Sequence, residues 1–185
     1  MQKQATKQVN LGKDYTKEWA DVGCSTGLMS RLAHHLEYKV TGFDINSFSL
    51  FVAKLLSFNL KNITYLKDDF STFQEKFDVV SATSLLSVVD DKQETLLQLT
   101  ALLKDSDSTL IIIEPTSSMT KRNVYKLMSN FKKFWLYKGL LLWASAREGK
   151  DVSAELFESL ENVNITHNYH LNAMVRVTYI QKQSL

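Results

Sequence analysis

The chain has 185 residues, of which 44% are hydrophobic and 23% charged, and its formal net charge is +2. These values predict one globular domain over residues 1–185 with a sizeable core, and they argue against a disordered chain. The longest apolar run, near residues 140–146, is much shorter than a membrane span, and the polar N-terminus lacks the apolar core of a signal peptide. The single cysteine excludes an internal disulfide, so we expect a soluble cytoplasmic protein.

The stretch from Trp19 to Gly27 predicts a short strand, a glycine-containing turn and the start of a helix that runs to Glu37. Because Gly23 and Gly27 have no Cβ, the backbone can turn sharply and approach a ligand closely. The first amides of the helix point free N–H groups outward. This arrangement is typical of a nucleotide-type binding loop.

A second strand, residues 39–44, ends in a carboxylate. Asp44 lies 17 residues after Gly27 at the end of this apolar stretch. A carboxylate in that position can accept hydrogen bonds from the two hydroxyls of a ribose. The two stretches together therefore predict a ligand that carries a ribose.

The order of these motifs resembles a known family. Asp-Val-Gly-Cys-Ser-Thr-Gly at 21–27 and Val-Thr-Gly-Phe-Asp at 40–44 resemble the first two motifs of class I S-adenosylmethionine-dependent methyltransferases. Phe-Asp-Val-Val-Ser-Ala at 77–82 resembles the fourth motif. One residue departs from the pattern, because Ser25 stands where the family usually has its middle glycine. The resemblance covers residues 19–115 and, more loosely, the C-terminal tail.

The resemblance implies S-adenosylmethionine as the cofactor and a set of contacts to it. In the family an acid after the third strand meets the adenine amino group and a hydrophobic neighbour packs on the ring, which implies Phe70 and either Asp68 or Asp69, with strand register favouring Asp69. The end of the fourth strand lies at the carboxyl edge of the sheet, where ligands bind. The implied cofactor-binding residues are Asp21, Gly23, Cys24, Ser25, Gly27, Asp44, Ile45, Asp68, Asp69, Phe70, Ser81 and Ala82.

The remaining elements fit the same fold. Asn46 or Ser47 is expected to cap a helix whose apolar residues have the spacing of a helix packed on a sheet, namely Phe48, Phe51, Val52, Leu55 and Leu56. Further elements are a capped helix after Asp91, a buried strand at 109–113, one helical face over 121–146 and a hairpin of strands 163–169 and 174–181. We expect a three-layer α/β Rossmann-like methyltransferase fold with a mainly parallel seven-stranded sheet and an antiparallel last strand. Residues 1–17 are expected to form an arm or short helix, and residues 116–162 a helical lid insertion.

A sulfonium methyl group is already activated, so its transfer depends mainly on positioning the acceptor in line, with a base where one is needed. The candidate catalytic residues are Glu114, which follows the fifth strand, and His170 in the hairpin turn, with His167 behind it. Two simpler interpretations stay open: Glu114 can anchor a helix N-terminus, and a histidine in a hairpin turn can face solvent.

The acceptor is less constrained by the sequence. No Asn-Pro-Pro-Tyr or Asp-Pro-Pro-Tyr follows the fourth strand, which argues against an adenine amine or a glutamine amide and favours a small, apolar or anionic molecule. Residues 116–150 contain eight Lys or Arg and one acid, a net charge of +7 that leaves −5 for the rest of the chain. This basic segment keeps RNA methylation open as an alternative, and Ser25 keeps open a binding protein without catalysis.

Two other classes share the glycine turn. Residues 23–27 also spell Gly-x-Ser-x-Gly, the nucleophile motif of α/β-hydrolases, although too few residues precede Ser25 for the strands that such a fold needs. A nicotinamide-binding Rossmann fold is the other alternative, and the C-terminal hairpin argues against it. We find no metal-ligand spacing, because His34 and His35 are adjacent on a helix and Cys24 has no thiol partner.

Overall fold

A seven-stranded sheet forms the centre of the protein in the computed structural model, which describes residues 2–6, 9, 12, 14–70, 73–129 and 138–183. In chain order the elements are α1 (Gln2–Ala5), β1 (Glu18–Val22), α2 (Leu28–His35), β2 (Lys39–Phe43), α3 (Ser47–Leu56), β3 (Ile63–Leu66), β4 (Val79–Thr83), α4 (Lys92–Ala101), β5 (Thr109–Pro115), α5 (Lys121–Ser129), α6 (Lys138–Arg147), α7 (Glu155–Glu158), β6 (Val163–His170) and β7 (Val175–Lys182). The strand order is β3-β2-β1-β4-β5-β7-β6. β7 runs antiparallel to both of its neighbours, β5 and β6, and the remaining pairs of neighbouring strands are parallel, so the predicted sheet is confirmed.

Helices cover both faces of the sheet. Side chains alternate between the two faces along each strand, so each strand contributes residues to two core clusters. Trp19, Val79 and Ile111 belong to one core cluster with residues of α1, α2, α5 and α6. Their neighbours along the strands, including Ala20 and Val80, belong to a second cluster with residues of α4 and α7. The chain therefore forms the three layers that the sequence predicts.

The helix α3 packs on the sheet with a face different from the predicted one. Leu50 and Ala53 are buried against Cys24 and Tyr65, and Asn46 caps the helix by accepting hydrogen bonds from the N–H groups of residues 48 and 49, both at 3.0 Å. The predicted buried residues Phe48, Phe51, Leu55 and Leu56 are instead 54–74% exposed. That interpretation was wrong because both faces of this helix are apolar, so periodicity alone does not identify the buried one.

The single helical face expected over residues 121–146 is divided between α5 and α6 in the described part of the chain. Val124 and Leu127 of α5 and Ala144 of α6 are buried in the cluster that includes Trp19. Three residues expected on this face, Phe131, Phe134 and Trp135, lie outside the described residues, as does Lys133, which was expected on the opposite side. Within the described ranges, no helix is long and apolar enough to cross a membrane.

The contact between β2, β3 and the β1–α2 turn requires small residues. An added Cβ on Gly42 would lie 2.7 Å from Tyr65 Cδ1 and 3.1 Å from Cys24 Sγ. Tyr65 itself is held by a hydrogen bond of 2.9 Å between its hydroxyl and Ser57 Oγ. The Tyr65 ring therefore cannot shift away from an added methyl group without losing this hydrogen bond.

We predict that Gly42→Ala lowers the free energy of unfolding by about 1–3 kcal/mol, because the extra methyl group overpacks this contact. The matched control is Gly139→Ala in α6, where nothing lies within 4 Å of an added Cβ. The control is expected to be neutral or to stabilise by up to about 1 kcal/mol through helix propensity. Urea unfolding of both variants measures the difference, and equal effects would contradict the packing described here.

Candidate active site

A cavity of about 640 Å³ opens at the carboxyl edge of the sheet. The strands β1, β2 and β4 are parallel neighbours, so their carboxyl ends and the loops that follow meet at this edge, where open α/β sheets bind ligands. The volume lies in the range of small-molecule sites. The lining residues are Val22, Gly23, Ser25, Phe43, Asp44, Ile45, Asn46, Ser49, Asp68, Asp69, Phe70, Thr83, Ser84, Leu85, Val88, Val89, Thr95, Gln98 and Arg147.

The turn after β1 brings its backbone to the cavity. Gly23, Ser25 and Gly27 all have positive φ angles, of 66°, 49° and 73°. At Gly27 a Cβ would also collide with Tyr65, so both the backbone and the available space require glycine. Ser25 holds the left-handed conformation at a cost in strain that glycine would not carry.

Both carboxylate oxygens of Asp44 accept hydrogen bonds from backbone N–H groups. Its Oδ2 accepts a hydrogen bond of 2.8 Å from the N–H of Ser25, and its Oδ1 accepts one of 2.8 Å from the N–H of Asn46. These bonds join the end of β2 to the turn after β1 and fix the orientation of the carboxylate. Each carboxylate oxygen can accept more than one hydrogen bond, so acceptor capacity toward the cavity remains.

Four predicted site residues lie beneath the turn or in the core. Asp21 is 1% exposed, accepts hydrogen bonds from Ser30 Oγ at 2.6 Å and Ser81 Oγ at 3.1 Å, and burial raises its pKa to about 6. Ser81 and Ala82 are fully buried, and β4 reaches the cavity one residue later, at Thr83. Cys24 is also buried, and burial raises the pKa of its thiol. These side chains support the turn and do not line the cavity.

At one end the cavity wall is acidic and aromatic. Asp68, Asp69, Phe70 and Ile45 come together there, and the N–H of Asp69 donates to Asp68 Oδ1 at 2.8 Å. Phe70 is partly buried against the core of the α4 side. The geometry thus assembles the residues that the family resemblance assigns to an adenine ring, with both carboxylates on the wall.

At the other end the wall is formed by the turn after β4 and by α6. The indole N–H of Trp143 donates to Ser84 Oγ at 2.8 Å and ties α6 to this turn. Arg147 is the one basic residue among the described residues that line the cavity. Its Nε and the Oγ1 of Thr83 are buried without a hydrogen-bond partner among the described residues, and such atoms usually mark a place for a ligand or water.

Sequence reasoning missed Thr83 and Arg147, which line the cavity, and Trp143, which holds the turn after β4 from behind. The fourth strand expected over residues 77–82 extends to Thr83 in the structure, and this residue, one beyond the predicted Ser81 and Ala82, lines the cavity. Arg147 belongs to the basic segment, and nothing in a charge count distinguishes a side chain on the cavity wall from one in solvent. The one sequence feature that pointed to this end of the cavity was the run of polar residues at the end of β4.

Neither candidate base lies on the cavity wall. Glu114 is 1% exposed, its Oε1 accepts a hydrogen bond of 2.7 Å from the N–H of Leu86, and burial raises its pKa to about 7. Glu114 therefore anchors the turn after β4, a role close to the helix N-terminus anchor that the sequence left open. His170 lies on β6, which is separated from β4 by β5 and β7, roughly 14 Å away at about 4.8 Å per strand. His167 pairs with Thr178 Oγ1 at 2.9 Å and has a pKa lowered by burial.

Comparison with known proteins identifies relatives over nearly the whole chain. A family model described as a methyltransferase domain matches residues 2–174. Ubiquinone biosynthesis O-methyltransferases from Pseudoalteromonas translucida and Glaesserella parasuis are each 27% identical, with the match covering 90% of this chain and 76% and 78% of theirs.

Solved structures show the same fold. The plantazolicin methyltransferase BpumL, in complex with a triazolic desmethyl-plantazolicin analogue and S-adenosylhomocysteine, has a TM-score of 0.67 at 14% identity over 91% of this chain and 77% of that one. The N-methyltransferase NodS from Bradyrhizobium japonicum has a TM-score of 0.67 at 12% identity over 99% and 94%.

The buried carboxyl of Asp21 predicts a pH dependence of stability. Its pKa in the folded protein, about 6, lies above its ordinary value of 3.8, so the folded state binds this proton more tightly than the unfolded state. The contribution of Asp21 to stability is therefore greatest below pH 4 and is lost as the pH rises through 6. We predict that Asp21→Asn, which stays neutral, raises the free energy of unfolding at pH 8 by at most about 3 kcal/mol and removes the slope between pH 4 and 6.

Urea unfolding at several pH values without cofactor tests this prediction. The exposed Asp107→Asn is the control and is expected to leave the profile unchanged. An Asp21→Asn variant that is less stable at pH 8 and keeps the wild-type slope would show that the carboxylate is charged and stabilising in the folded protein.

Proposed function

The chain belongs to the methyltransferase-domain family, and from this premise we propose that this S-adenosylmethionine-dependent methyltransferase methylates a hydroxyl group of a small molecule. The observation that carries the proposal is that one cavity combines the acidic and aromatic end, beside the glycine turn, with a second end formed by Thr83, Ser84 and Arg147. The first end suits the cofactor, and the second is available for the acceptor.

We assign the cofactor to the end near Asp44. The carboxylate is oriented by two backbone N–H groups before any ligand binds, so it can accept hydrogen bonds from ribose hydroxyls without further ordering. Ile45, Phe70 and one of Asp68 and Asp69 then contact the adenine. The backbone at Gly23 and Ser25 approaches the methionyl part, and Asp21, Cys24 and Gly27 support the turn from below.

The proposed reaction is an in-line displacement. The acceptor oxygen attacks the methyl carbon, the bond between carbon and sulfur breaks, and S-adenosylhomocysteine leaves while the hydroxyl proton passes to solvent. The protein contributes mainly by holding the acceptor about 3–3.5 Å from the methyl group. This assignment needs no base on the cavity wall, in agreement with the positions of Glu114 and His170.

Glu114 is proposed as a positioning residue. Its bond to the N–H of Leu86 fixes the turn whose Ser84 and Leu85 line the cavity. A catalytic role for His170 stays a prediction. The position of this residue on β6, at the end of the strand order, does not support that role.

The acceptor is proposed to carry a negatively charged group near its hydroxyl. Arg147 presents a guanidinium to the cavity, and this group recognises carboxylates through paired hydrogen bonds. A hydroxyl acceptor is supported by the names of the two curated relatives, both called O-methyltransferases; at 27% identity their own acceptor is not transferred to this chain.

The lid insertion is proposed in a narrower form. The helix α6 carries Trp143 and Arg147 to the acceptor end, so this helix covers that end of the cavity. RNA methylation through the basic segment stays a prediction, as does a role limited to binding. The serine-hydrolase alternative is set aside, because the chain belongs to the methyltransferase family.

We predict that Asp44→Asn weakens binding of S-adenosylhomocysteine by about 10-fold to 100-fold, as expected for losing a charged hydrogen-bond acceptor. The amide oxygen can keep one of the two backbone bonds, so the turn stays formed. Titration calorimetry measures the affinity, with Asp107→Asn as the control. An affinity within twofold of wild type, in a variant with an unchanged melting temperature, would remove Asp44 from the ribose site.

Methyl transfer to an anionic acceptor tests the role of Arg147. We predict that 3,4-dihydroxybenzoate is methylated with a lower KM than uncharged catechol, and that Arg147→Met raises the KM for dihydroxybenzoate by about 10-fold or more while leaving the KM for catechol unchanged. The exposed Lys150→Met is the matched control. Formation of S-adenosylhomocysteine reports turnover.

Two results would contradict the acceptor assignment. An equal rise of the KM for dihydroxybenzoate and for catechol in Arg147→Met would mean that Arg147 does not bind the charged group of the acceptor. A tenfold loss of S-adenosylhomocysteine affinity in Arg147→Met would instead assign the guanidinium to the methionyl carboxylate of the cofactor.

A further inference from the structure

An exposed apolar stripe follows the outer face of α3 and its flanks. Its members are Ile45, Phe48, Phe51, Leu55 and Phe58, which are 78%, 74%, 64%, 60% and 78% exposed. Phe48, Phe51 and Leu55 are three or four residues apart within α3, so they lie on one side of the helix, and Ile45 and Phe58 stand just before and just after it. The opposite side, with Leu50 and Ala53, packs on the protein. The stripe is therefore additional to the face that the fold uses.

The size of this stripe is that of an interface. With Leu56, which is 54% exposed beside it, six large apolar side chains present on the order of 700–900 Å², taking about 150–250 Å² for each complete aromatic side chain. The largest apolar patch of a typical monomer is about 300–600 Å². A standard interface buries about 800 Å² on each partner.

We propose that α3 is the interface of a two-fold symmetric dimer in which α3 packs antiparallel to the α3 of a second copy. Two pairs of the stripe are symmetric about the bond between Phe51 and Val52: Ile45 and Phe58 are equally far from that point, as are Phe48 and Leu55, while Phe51 lies next to it. An antiparallel pair centred there places Phe48 against the partner subunit's Leu55. A two-fold interface requires this kind of self-complementary surface.

The charges along the helix favour the same arrangement. Acidic residues stand at its beginning, where Asp44 and Asp68 line the cavity mouth, whereas residues 45–66 contain Lys54 and Lys61 and no acid. Antiparallel pairing brings the acidic end of each helix to the basic end of the other, and it also opposes the two helix dipoles. An anionic membrane would have to meet Asp44 and Asp68 at the same surface, which argues against a lipid partner.

The dimer would also complete the cavity mouth. Ile45 lines the cavity and belongs to the stripe, and the symmetric pairing places the partner subunit's Phe58 against it. The second copy thereby shields the end of the cavity assigned to the adenine. This consequence rests on the proposed cofactor position, whereas the interface itself does not.

Sedimentation velocity of the whole chain, up to about 200 µM, tests the interface, since interfaces of standard area associate with dissociation constants from micromolar downward. We expect a species of twice the chain mass of 21.2 kDa, and at least a tenfold weaker association in Phe48→Ser with Phe51→Ser. The control is Leu142→Ser on α6, where Leu142 is 71% exposed, and it is expected to dimerise like wild type. Thermal unfolding of each variant verifies folding.

Disulfide trapping tests the antiparallel register. Protein with Phe48→Cys is mixed with protein with Leu55→Cys and oxidised, and the native Cys24 stays unreactive because it is buried. Facing positions fall within the reach of a disulfide, below about 7 Å between Cα atoms, whereas two copies of position 48 are separated by about 10 Å along the helices. We expect the mixed crosslink to dominate over crosslinks of either variant with itself.

Three results would overturn the proposal. The first is a monomer at every concentration, whether or not it sediments with vesicles of anionic lipid. The second is a dimer that the substitutions in α3 leave intact. The third is a Phe48→Cys variant that crosslinks mainly to itself.

Discussion

The hydrogen bond between the N–H of Ser25 and the carboxylate of Asp44 is the contact on which the site depends. It joins the loops after β1 and β2, two adjacent parallel strands whose last residues, Val22 and Phe43, stand side by side. The turn that presents this N–H has left-handed backbone angles at Gly23, Ser25 and Gly27. Turn and carboxylate thus reach one fixed relative position before a ligand arrives, which is the preorganisation that tight binding requires.

The acceptor end depends on contacts between more distant parts of the chain. Glu114 at the end of β5 holds the turn after β4 through Leu86, and Trp143 of α6 holds the same turn through Ser84. Two buried groups with raised pKa values, Asp21 and Glu114, stand behind the two turns that line the cavity. Burying such carboxyls costs stability, and here each orients backbone or hydroxyl groups close to the site.

The sequence predicted the local features of the fold well and the non-local ones less well. The strand, turn and helix around Gly23 and the carboxylate at Asp44 are encoded within short segments, so motif and periodicity suffice. The outward face of α3 was not predictable, because both faces are apolar and only the tertiary contacts with Cys24 and Tyr65 select the buried one. Arg147 reaches the cavity only through the packing of α6, and Glu114 is directed at a backbone amide that no sequence pattern reveals.

The most direct test of the central claim, that one cavity holds the cofactor at its acidic end and the acceptor at its Arg147 end, is a crystal structure with S-adenosylhomocysteine bound. We expect both ribose hydroxyls within hydrogen-bond distance of Asp44, about 2.5–3.2 Å, the adenine beside Phe70, and the sulfur directed toward Thr83 and Arg147. A cofactor bound with its ribose away from Asp44, or with its adenine at the Arg147 end, would contradict it.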